Sequence, residues 1–304
     1  MEERTIRREQ AAVLTLAAHA AGPWHLISRL LNESPSAIGI CSGSPSGFET
    51  PELLAEALDD VPITSEEIDR NEALIEAATS RGDRVITVLD DDYPANLRMV
   101  YDRPPFLFVR GGLLRGRAIA VVGTRSASPE GIEQADRLAR GLAEREVTVL
   151  SGLAKGIDAA AHRGALAVGG HTVAVMGTGI DRVYPAENAD LAEEIVASGG
   201  ALVSQFWPDN PPTRYRFPMR NRTMSGLALG TVVVEASHTS GARMQARIAL
   251  EHGKRVFLVR DLVLREAWAQ RHVGHPAVTV VDDVNDVLAV LDGLALPSAQ
   301  LTLA

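Results

Sequence analysis

The sequence has too little of several features to belong to some protein classes. Cys41 is the one cysteine among 304 residues, so no internal disulfide can form and no pair of thiolates is available to bind zinc. No window reaches the roughly 18 to 20 apolar residues that a membrane-spanning helix needs. We therefore expect a protein of the reducing cytoplasm, without a metal site and without a membrane partner.

The chain also has fewer basic than acidic residues, and the excess of acid is concentrated in one segment. The net charge is −9, which by itself argues against a polyanionic partner. Residues 49–92 contain fourteen Asp or Glu and three Arg, a balance of −11, which leaves +2 for the rest of the chain. The acidic block favours a solvated surface, with docking of a partner as the alternative, and the remainder is free to form a site for an anion.

The pattern of apolar residues predicts two domains. Residues 1–82 predict a small helical domain, in which Thr64 and Glu67 have the spacing of a capping box. Over residues 83–304, short apolar runs alternate with helical windows, which include 220–229 and 264–271. Strands are expected at 118–122, 147–150, 172–176, 201–204, 231–235, 255–259 and 277–281. Such alternation is typical of the α/β class with a doubly wound, mostly parallel sheet.

Two successive strands end in similar polar turns, at 123–128 and 151–158. In a parallel sheet both turns lie at the carboxyl edge, where helix N-termini point N–H groups at anions. Neither turn matches the dinucleotide fingerprint or the P-loop, and a plain tight turn is the alternative for the first. The candidate phosphate-binding residues of these turns are Gly123, Arg125, Ser126, Ser151, Gly152, Lys155 and Gly156.

An acid and a histidine follow the second turn. Asp158 is expected to N-cap the next helix. His162 lies one helical turn later, so a catalytic Asp–His pair is a minor alternative. Because no nucleophile is evident, we expect a protein that is not an enzyme.

Aromatic residues make up 4% of the chain, yet four of them cluster with arginines between 205 and 222. Rings that stack on bases and arginines that follow phosphates are typical of grooves for single-stranded nucleic acid. A loop whose rings fill the core and whose arginines are solvated is the alternative. The residues concerned are Phe206, Trp207, Tyr215, Phe217, Arg214, Arg216, Arg220 and Arg222.

A further polar strand end, after the third Gly-rich turn at 177–185, begins at Glu235 and continues to Ser240 and Gly241. These three residues suggest a ligand pocket that receives a ribose or a base edge. Alternatively, Glu235 caps the helix that begins near Gly241.

Several motifs, taken in order, resemble the DNA-processing protein A family (DprA, also called Smf). The resemblance extends over roughly residues 84–259. It is carried by Asp92-Tyr93-Pro94 with Leu97, Arg103-Pro104-Pro105 with Gly111, Val122-Gly123-Thr124-Arg125, Ser151-Gly152-Leu153-Ala154-Lys155-Gly156-Ile157-Asp158-Ala159-Ala160-Ala161-His162, Gly177-Thr178-Gly179 with Tyr184-Pro185, Phe217-Pro218, Arg220-Asn221-Arg222, Val234-Glu235-Ala236 and Ser240-Gly241.

The resemblance implies an extended Rossmann-like domain that binds and protects incoming single-stranded DNA, usually as a homodimer and without a cofactor. It also implies help in loading a RecA-type recombinase during natural transformation. By motif, Arg125, Lys155, Arg220 and Arg222 would line the phosphate pocket beside Asn221, and Phe217 would stack on a base. A helical, SAM-like domain in front fits the family, and no C-terminal winged helix is expected.

The sequence departs from the family pattern at several positions, and a rival function stays open. Gln205 replaces the usual Glu, Gln245 stands where Thr is usual before Ala246, and Arg260-Asp261 replaces Pro-Gly. Since related Rossmann-like domains hold nucleotides, the alternative is a nucleotide-binding or sensing protein, with defence against foreign DNA as one setting. A dehydrogenase fits less well, because the second strand lacks the acidic residue that binds a ribose.

Overall fold

The computed structural model describes residues 2–43, 51–112 and 116–294. The chain divides into two compact units, Met1–Tyr93 with Val100–Arg110, and Pro94–Met99 with Gly111–Ala304. The domain boundary between residues 82 and 83 stays a prediction. Within the described ranges, no helix is both long enough and apolar enough to cross a bilayer.

The described residues of the first unit form five helices and two strands. Thr64 and Glu67 form the predicted capping box at the start of the fifth helix. The strands pair antiparallel, and Arg110 binds Asp83 through two hydrogen bonds of 2.7 and 2.9 Å. The elements are α1 (Glu2–Ala18), α2 (His25–Glu33), α3 (Ala37–Cys41), α4 (Pro51–Ala57), α5 (Ser65–Ser80), β1 (Asp83–Thr87) and β2 (Phe106–Gly111).

Part of the acidic block is used within the first unit. Arg8 of α1 lies 2.8 Å from both Asp69 and Glu72 of α5, and Arg7 lies 2.8 Å from Glu76. These contacts join two helices whose apolar faces pack together, so the acids of α5 are paired as well as solvated. For the same unit the sequence predicts a loop at 43–47 and a helix start at Thr50, and all of these residues except Gly43 lie outside the described residues.

The second unit contains the parallel sheet. Its strands lie in the order β6-β5-β4-β3-β7-β8-β9, and every pairing between these neighbours is parallel. The strands are β3 (Ala118–Val122), β4 (Thr148–Ser151), β5 (Thr172–Val175), β6 (Ala201–Ser204), β7 (Gly230–Val233), β8 (Arg255–Val259) and β9 (Val278–Val281). The predicted α/β class with a doubly wound, mostly parallel sheet is therefore confirmed.

Helices connect these strands. The helices α7, α8 and α14 share one apolar core with the sheet, whereas α10 and α11 pack against each other. The helices of this unit are α6 (Ala95–Arg98), α7 (Pro129–Ala143), α8 (Ile157–Ala167), α9 (Ala189–Ala197), α10 (Arg216–Leu227), α11 (Gly241–Glu251), α12 (Arg260–Arg265), α13 (Ala267–Gln270) and α14 (Val284–Asp292).

Two helix predictions were wrong in their bounds. The helix predicted over 220–229 begins at Arg216, because Pro218 lies in its first turn, where a missing N–H breaks no hydrogen bond. The helix predicted over 264–271 is divided at Glu266, whose backbone is extended. Trp268 is buried beyond this break and donates a 3.1 Å hydrogen bond to the carbonyl of Ala236, which fixes α13 against the end of β7.

Candidate functional site

An open cleft of about 430 Å³ lies at the carboxyl edge of the parallel sheet. The loops after β3, β4 and β7 and the first half of α10 form its walls. β3 has β4 on one side and β7 on the other, so the strand order reverses there. Doubly wound sheets bind ligands in the crevice at such a reversal.

The loop after β3 is held against both neighbouring loops. Thr124 donates a 2.7 Å hydrogen bond to the carbonyl of Glu235 and accepts one of 3.3 Å from the N–H of Ile157. A Cβ on Gly123 would lie 2.3 Å from the Ile157 side chain, so only glycine fits at this approach. The tip of the loop, Arg125 and Ser126, is exposed.

The loop after β4 closes on itself around Asp158. The carboxylate accepts hydrogen bonds from the N–H groups of Gly152 and Ala154, at 3.1 and 3.4 Å. The predicted N-cap role is therefore wrong: Gly156, with φ of +70°, occupies the N-cap position, and Asp158 lies inside the first turn of α8. Burial raises the pKa of Asp158, and the positive charge of Arg220 partly opposes this.

His162 does not pair with Asp158. Its Nδ1 lies 2.7 Å from the hydroxyl of Thr172, which itself donates to the carbonyl of Val149. Because that hydroxyl has given its proton to Val149, Nδ1 carries the histidine proton and donates it to Thr172. The other nitrogen, Nε2, is buried without a partner, and burial lowers the pKa of His162 to about 3. The catalytic Asp–His alternative is therefore wrong.

Lys155 and Ser151 occupy opposite environments in the loop after β4. The Lys155 side chain is about half exposed and forms an ion pair with Glu187, which is equally exposed. Ser151 is fully buried and donates a 2.7 Å hydrogen bond to the carbonyl of Val121. Lys155 is thus accessible to a ligand, whereas Ser151 links β4 to β3.

Arg220 is the buried cation of the cleft. It is 6% exposed, and its Nη1 donates hydrogen bonds of 2.7 Å to the carbonyls of Gly152 and Val175. Its Nε donates to the side-chain oxygen of Asn221 at 3.0 Å. Burial lowers the pKa of Arg220 and the negative charge of Asp158 raises it. Arg220 therefore joins α10 to the ends of β4 and β5 while its charge remains beneath the cleft.

Phe217 connects the cleft to the loop after β5. The Arg125 guanidinium carbon lies 5.1 Å from the centre of the Phe217 ring, the geometry of a cation–π contact. The Tyr184 ring lies 5.9 Å away on the other loop. A Cβ on Gly177 would lie 2.6 Å from the Phe217 ring, which explains the glycine at that strand end.

The aromatic and arginine segment is divided between two roles. Phe206 is 1% exposed and fills the core, as the alternative interpretation expected. Arg216 lies 5.6 Å from the Phe206 ring and 5.3 Å from the exposed Tyr215 ring. Arg214 is exposed and Arg222 is half-buried.

The structure brings some of the predicted residues together and separates others. The main cleft is lined by Gly123, Arg125, Phe217, Arg220, Asn221, Ser240 and Gly241. A smaller adjoining recess adds Gly152 and Lys155. Among the predicted residues, those that line neither space are Ser126, Ser151, Gly156, Arg214, Arg216, Arg222 and Glu235.

Glu235 belongs to a second recess of about 230 Å³, beside Ser128. Its carboxylate accepts hydrogen bonds from the Ser128 N–H at 3.1 Å and from the Ser128 hydroxyl at 2.8 Å. It does not cap α11, because Ser240 does so by accepting from the N–H of Ala242. The predicted pocket of Glu235, Ser240 and Gly241 is therefore split between two spaces.

The sequence interpretation missed Gln245 as a lining residue. Its side chain is 1% exposed on the inner wall of the main cleft, and neither carboxamide atom has a hydrogen-bond partner. The available signal was its departure from the residue that is usual in the resembled family. Across the described parts of the chain, no group of three His, Cys, Asp or Glu is placed to hold a metal ion.

Sequence comparisons give one family. Residues 84–292 match the family described as DNA recombination-mediator protein A. The DNA processing protein DprA of Streptococcus pneumoniae is 41% identical over 206 residues, which cover 67% of this chain and 72% of that protein. Protein Smf of Escherichia coli is 47% identical over 167 residues, which cover 54% of this chain and 45% of that protein. The match thus spans less than half of the Escherichia coli protein.

Solved structures agree in fold. The X-ray structure of DNA processing protein A from Streptococcus pneumoniae has a TM-score of 0.71 at 30% identity and covers 92% of this chain and 97% of that one. A structure of DNA processing protein A from Helicobacter pylori, described as revealing a unique single-stranded DNA binding mode, has a TM-score of 0.61 at 23% identity. It covers 69% of this chain and 96% of that one.

Proposed function

Because the chain belongs to the DNA recombination-mediator protein A family, we propose that it binds single-stranded DNA in the cleft at the ends of β3, β4 and β7. The observation that carries the proposal is the Arg125–Phe217 pair at this cleft. An aromatic face for bases beside a cation for phosphates is the combination that single-strand sites use. Backbone contacts of this kind are independent of sequence.

Two exposed cations on adjacent loops are the direct phosphate ligands in this proposal. Arg125 presents a planar guanidinium, which suits two-point contact with phosphate. Lys155 is paired with Glu187 in a solvent-exposed contact, and such pairs contribute little, so a phosphate can replace the carboxylate. The exposed Ser126 and Arg214 and the half-buried Arg222 stay candidates for contacts outside the cleft.

Arg220 and Asn221 have a supporting role. The guanidinium of Arg220 already donates to two carbonyls and to Asn221, so its contribution to binding is its charge and the position it gives to α10. Ser151, Gly152 and Gly156 shape the loop that carries Lys155. Asp158 and His162 are both buried, which supports a binding function rather than a catalytic one.

The role of the protein in the cell is inferred from its family membership. We propose that the protein protects incoming single strands and helps a RecA-type recombinase to assemble on them during natural transformation, acting as a homodimer. The family membership and the cleft support this proposal.

The test measures fluorescence anisotropy of a labelled oligo-dT and of its duplex form across a salt series. We expect the single strand to bind more tightly and its affinity to fall as salt rises, because the release of counterions from the strand favours binding less at high salt. Arg125→Ala and Lys155→Ala should each weaken binding without changing sequence preference. The matched control is Arg137→Ala, which removes the same charge from an exposed position on α7.

The outcomes are distinct. Unchanged affinity in both cleft variants would show that the strand binds elsewhere. A wild-type protein that binds no single strand at low salt would overturn the proposal and direct attention to free nucleotides.

A further inference from the structure

The inner wall of the cleft contains an unpaired carboxamide. Gln245 is 99% buried on α11, it lines the cleft, and both Nε2 and Oε1 lack a hydrogen-bond partner. A carboxamide has two N–H donors and one acceptor oxygen. Since nearly all buried polar side-chain atoms are paired in folded proteins, these two atoms indicate a ligand with both a donor and an acceptor.

The surroundings of Gln245 favour a neutral, polar ligand group. The α11 side of the cleft is lined by uncharged residues, and Ser237 and Thr239 present exposed hydroxyls there. A Cβ added to Gly241 would have no atom within 4 Å, so the N-terminus of this 11-residue helix faces open space. The cationic residues of the cleft, Arg125 and Arg220, belong to other elements.

The cleft thus separates a charged side, with Arg125, Arg220 and the buried Asp158, from a neutral side, and a nucleotide has both a charged and a neutral part. Its volume of about 430 Å³ is within the range of about 300–1,000 Å³ that is common for small-molecule sites. A phosphate matches the side that carries Arg125. A base edge, with adjacent donor and acceptor atoms, matches the carboxamide of Gln245.

We propose that Gln245 binds the edge of a nucleobase, and that adenine, which a glutamine contacts through N6 and N7, is the best-matched base. For a DNA strand this inference rests on the proposed function and names the base subsite within it. The same chemistry is present in a free adenine nucleotide, which the experiment distinguishes.

The test compares labelled oligo-dA with a strand of equal length whose sugars carry no bases. In the Gln245→Met variant, which keeps a long side chain without donors or acceptor, oligo-dA should bind about fivefold more weakly or worse, the lower limit for losing a two-point base contact. Affinity for the abasic strand should stay unchanged. The melting temperature of the variant should be equal or higher, because an unpaired buried polar group has been removed.

Two further variants make the result specific. Gln245→Thr shortens the side chain, keeps a polar atom and should lose oligo-dA affinity in the same way. Gln270→Met makes the same change at an exposed position on α13 and should alter neither affinity.

Each outcome decides the inference. Unchanged oligo-dA affinity in Gln245→Met, or an equal loss on both strands, would overturn it while leaving single-strand binding intact. If the wild-type protein binds neither strand, the proposed function fails, and adenosine monophosphate is titrated by calorimetry instead. If the wild-type protein binds adenosine monophosphate and Gln245→Met does not, the base subsite holds for a free nucleotide. If the wild-type protein does not bind adenosine monophosphate either, the inference is overturned as well.

Discussion

At the scale of single residues, the position of Arg220 depends on a neighbouring glycine. A Cβ on Gly152 would lie 2.0 Å from Nη1 of Arg220, the atom that donates to the carbonyls of Gly152 and Val175. Side chains in a closely packed interior cannot move by this amount without losing their contacts. Glycine at 152 is therefore a condition for the buried cation beneath the cleft.

Gly152→Ala should destabilise the second unit by about 1–3 kcal/mol, the usual cost of overpacking, and should weaken single-strand binding by displacing Arg220. Urea denaturation and strand anisotropy measure the two effects. Gly241→Ala is the matched control, because its Cβ would enter open space, and its stability should change by less than about 0.5 kcal/mol. Equal stability of the two variants would show that Arg220 moves aside without cost.

The sequence predicted which residue types the cleft uses but not how each is buried. Arg125 and Lys155 are exposed on the two loops where the strand-end pattern placed them. Arg220 and Phe206 occur in the same arginine and aromatic segment, yet both are buried. Burial depends on which elements pack against a side chain, and a local pattern contains no information on those elements.

At the scale of elements, the helices begin where short polar side chains can accept from the backbone. Thr64 caps α5 as its sequence position suggested, and Ser36 caps α3 by accepting from the N–H of Gly39. The start of α10 was missed because its N-cap, Tyr215, makes no side-chain cap hydrogen bond. When a helix begins without a side-chain cap, its apolar pattern predicts that a helix is present but does not predict its first residue.

Ser128 both caps α7 and links it to the end of β7. Its hydroxyl accepts from the N–H of Gly131 at 3.0 Å and donates to Glu235 at 2.8 Å. Ser128→Ala should therefore destabilise the unit by about 2 kcal/mol, since it removes a cap and a hydrogen bond to a charged group. Ser240→Ala removes a cap alone and should cost about 1 kcal/mol.

Urea unfolding of both variants checks this difference. If the two substitutions were equally costly, the hydroxyl bond to Glu235 would contribute nothing to stability, and the carboxylate would depend on the Ser128 N–H alone.

At the scale of the whole molecule, the two units contain histidines whose pKa values move in opposite directions. Burial lowers the pKa of His162 in the second unit to about 3. In the first unit, burial acts to lower the pKa of His19, but hydrogen bonds to Asp59 and Glu67 raise it overall. These partners come from distant parts of the sequence, so neither shift follows from a local pattern.

The two units should therefore lose stability at opposite ends of the pH range. His162 contributes stability above its unfolded pKa of 6.5, and this is lost as pH falls from 6.5 towards 3, by roughly 2 kcal/mol near pH 5. His19 contributes stability below 6.5, and this is lost as pH rises through its raised pKa. Hydrogen exchange of the α8 and α1 amides, followed against pH, measures each unit separately.

A comparison of the wild type with His162→Asn isolates the contribution of His162 to the loss of stability in acid. Asp158 is buried nearby with a raised pKa, so its contribution is present at low pH and is lost as pH rises, opposite to that of His162. Both proteins contain Asp158, whereas only the wild type has an imidazole that is neutral when buried and takes up a proton when acid unfolding exposes it. Protection of α8 should thus fall more steeply with acid in the wild type than in the variant, while α1 responds equally in both. Parallel pH profiles for α8 would mean that burial does not lower the pKa of His162 below its value in the unfolded chain.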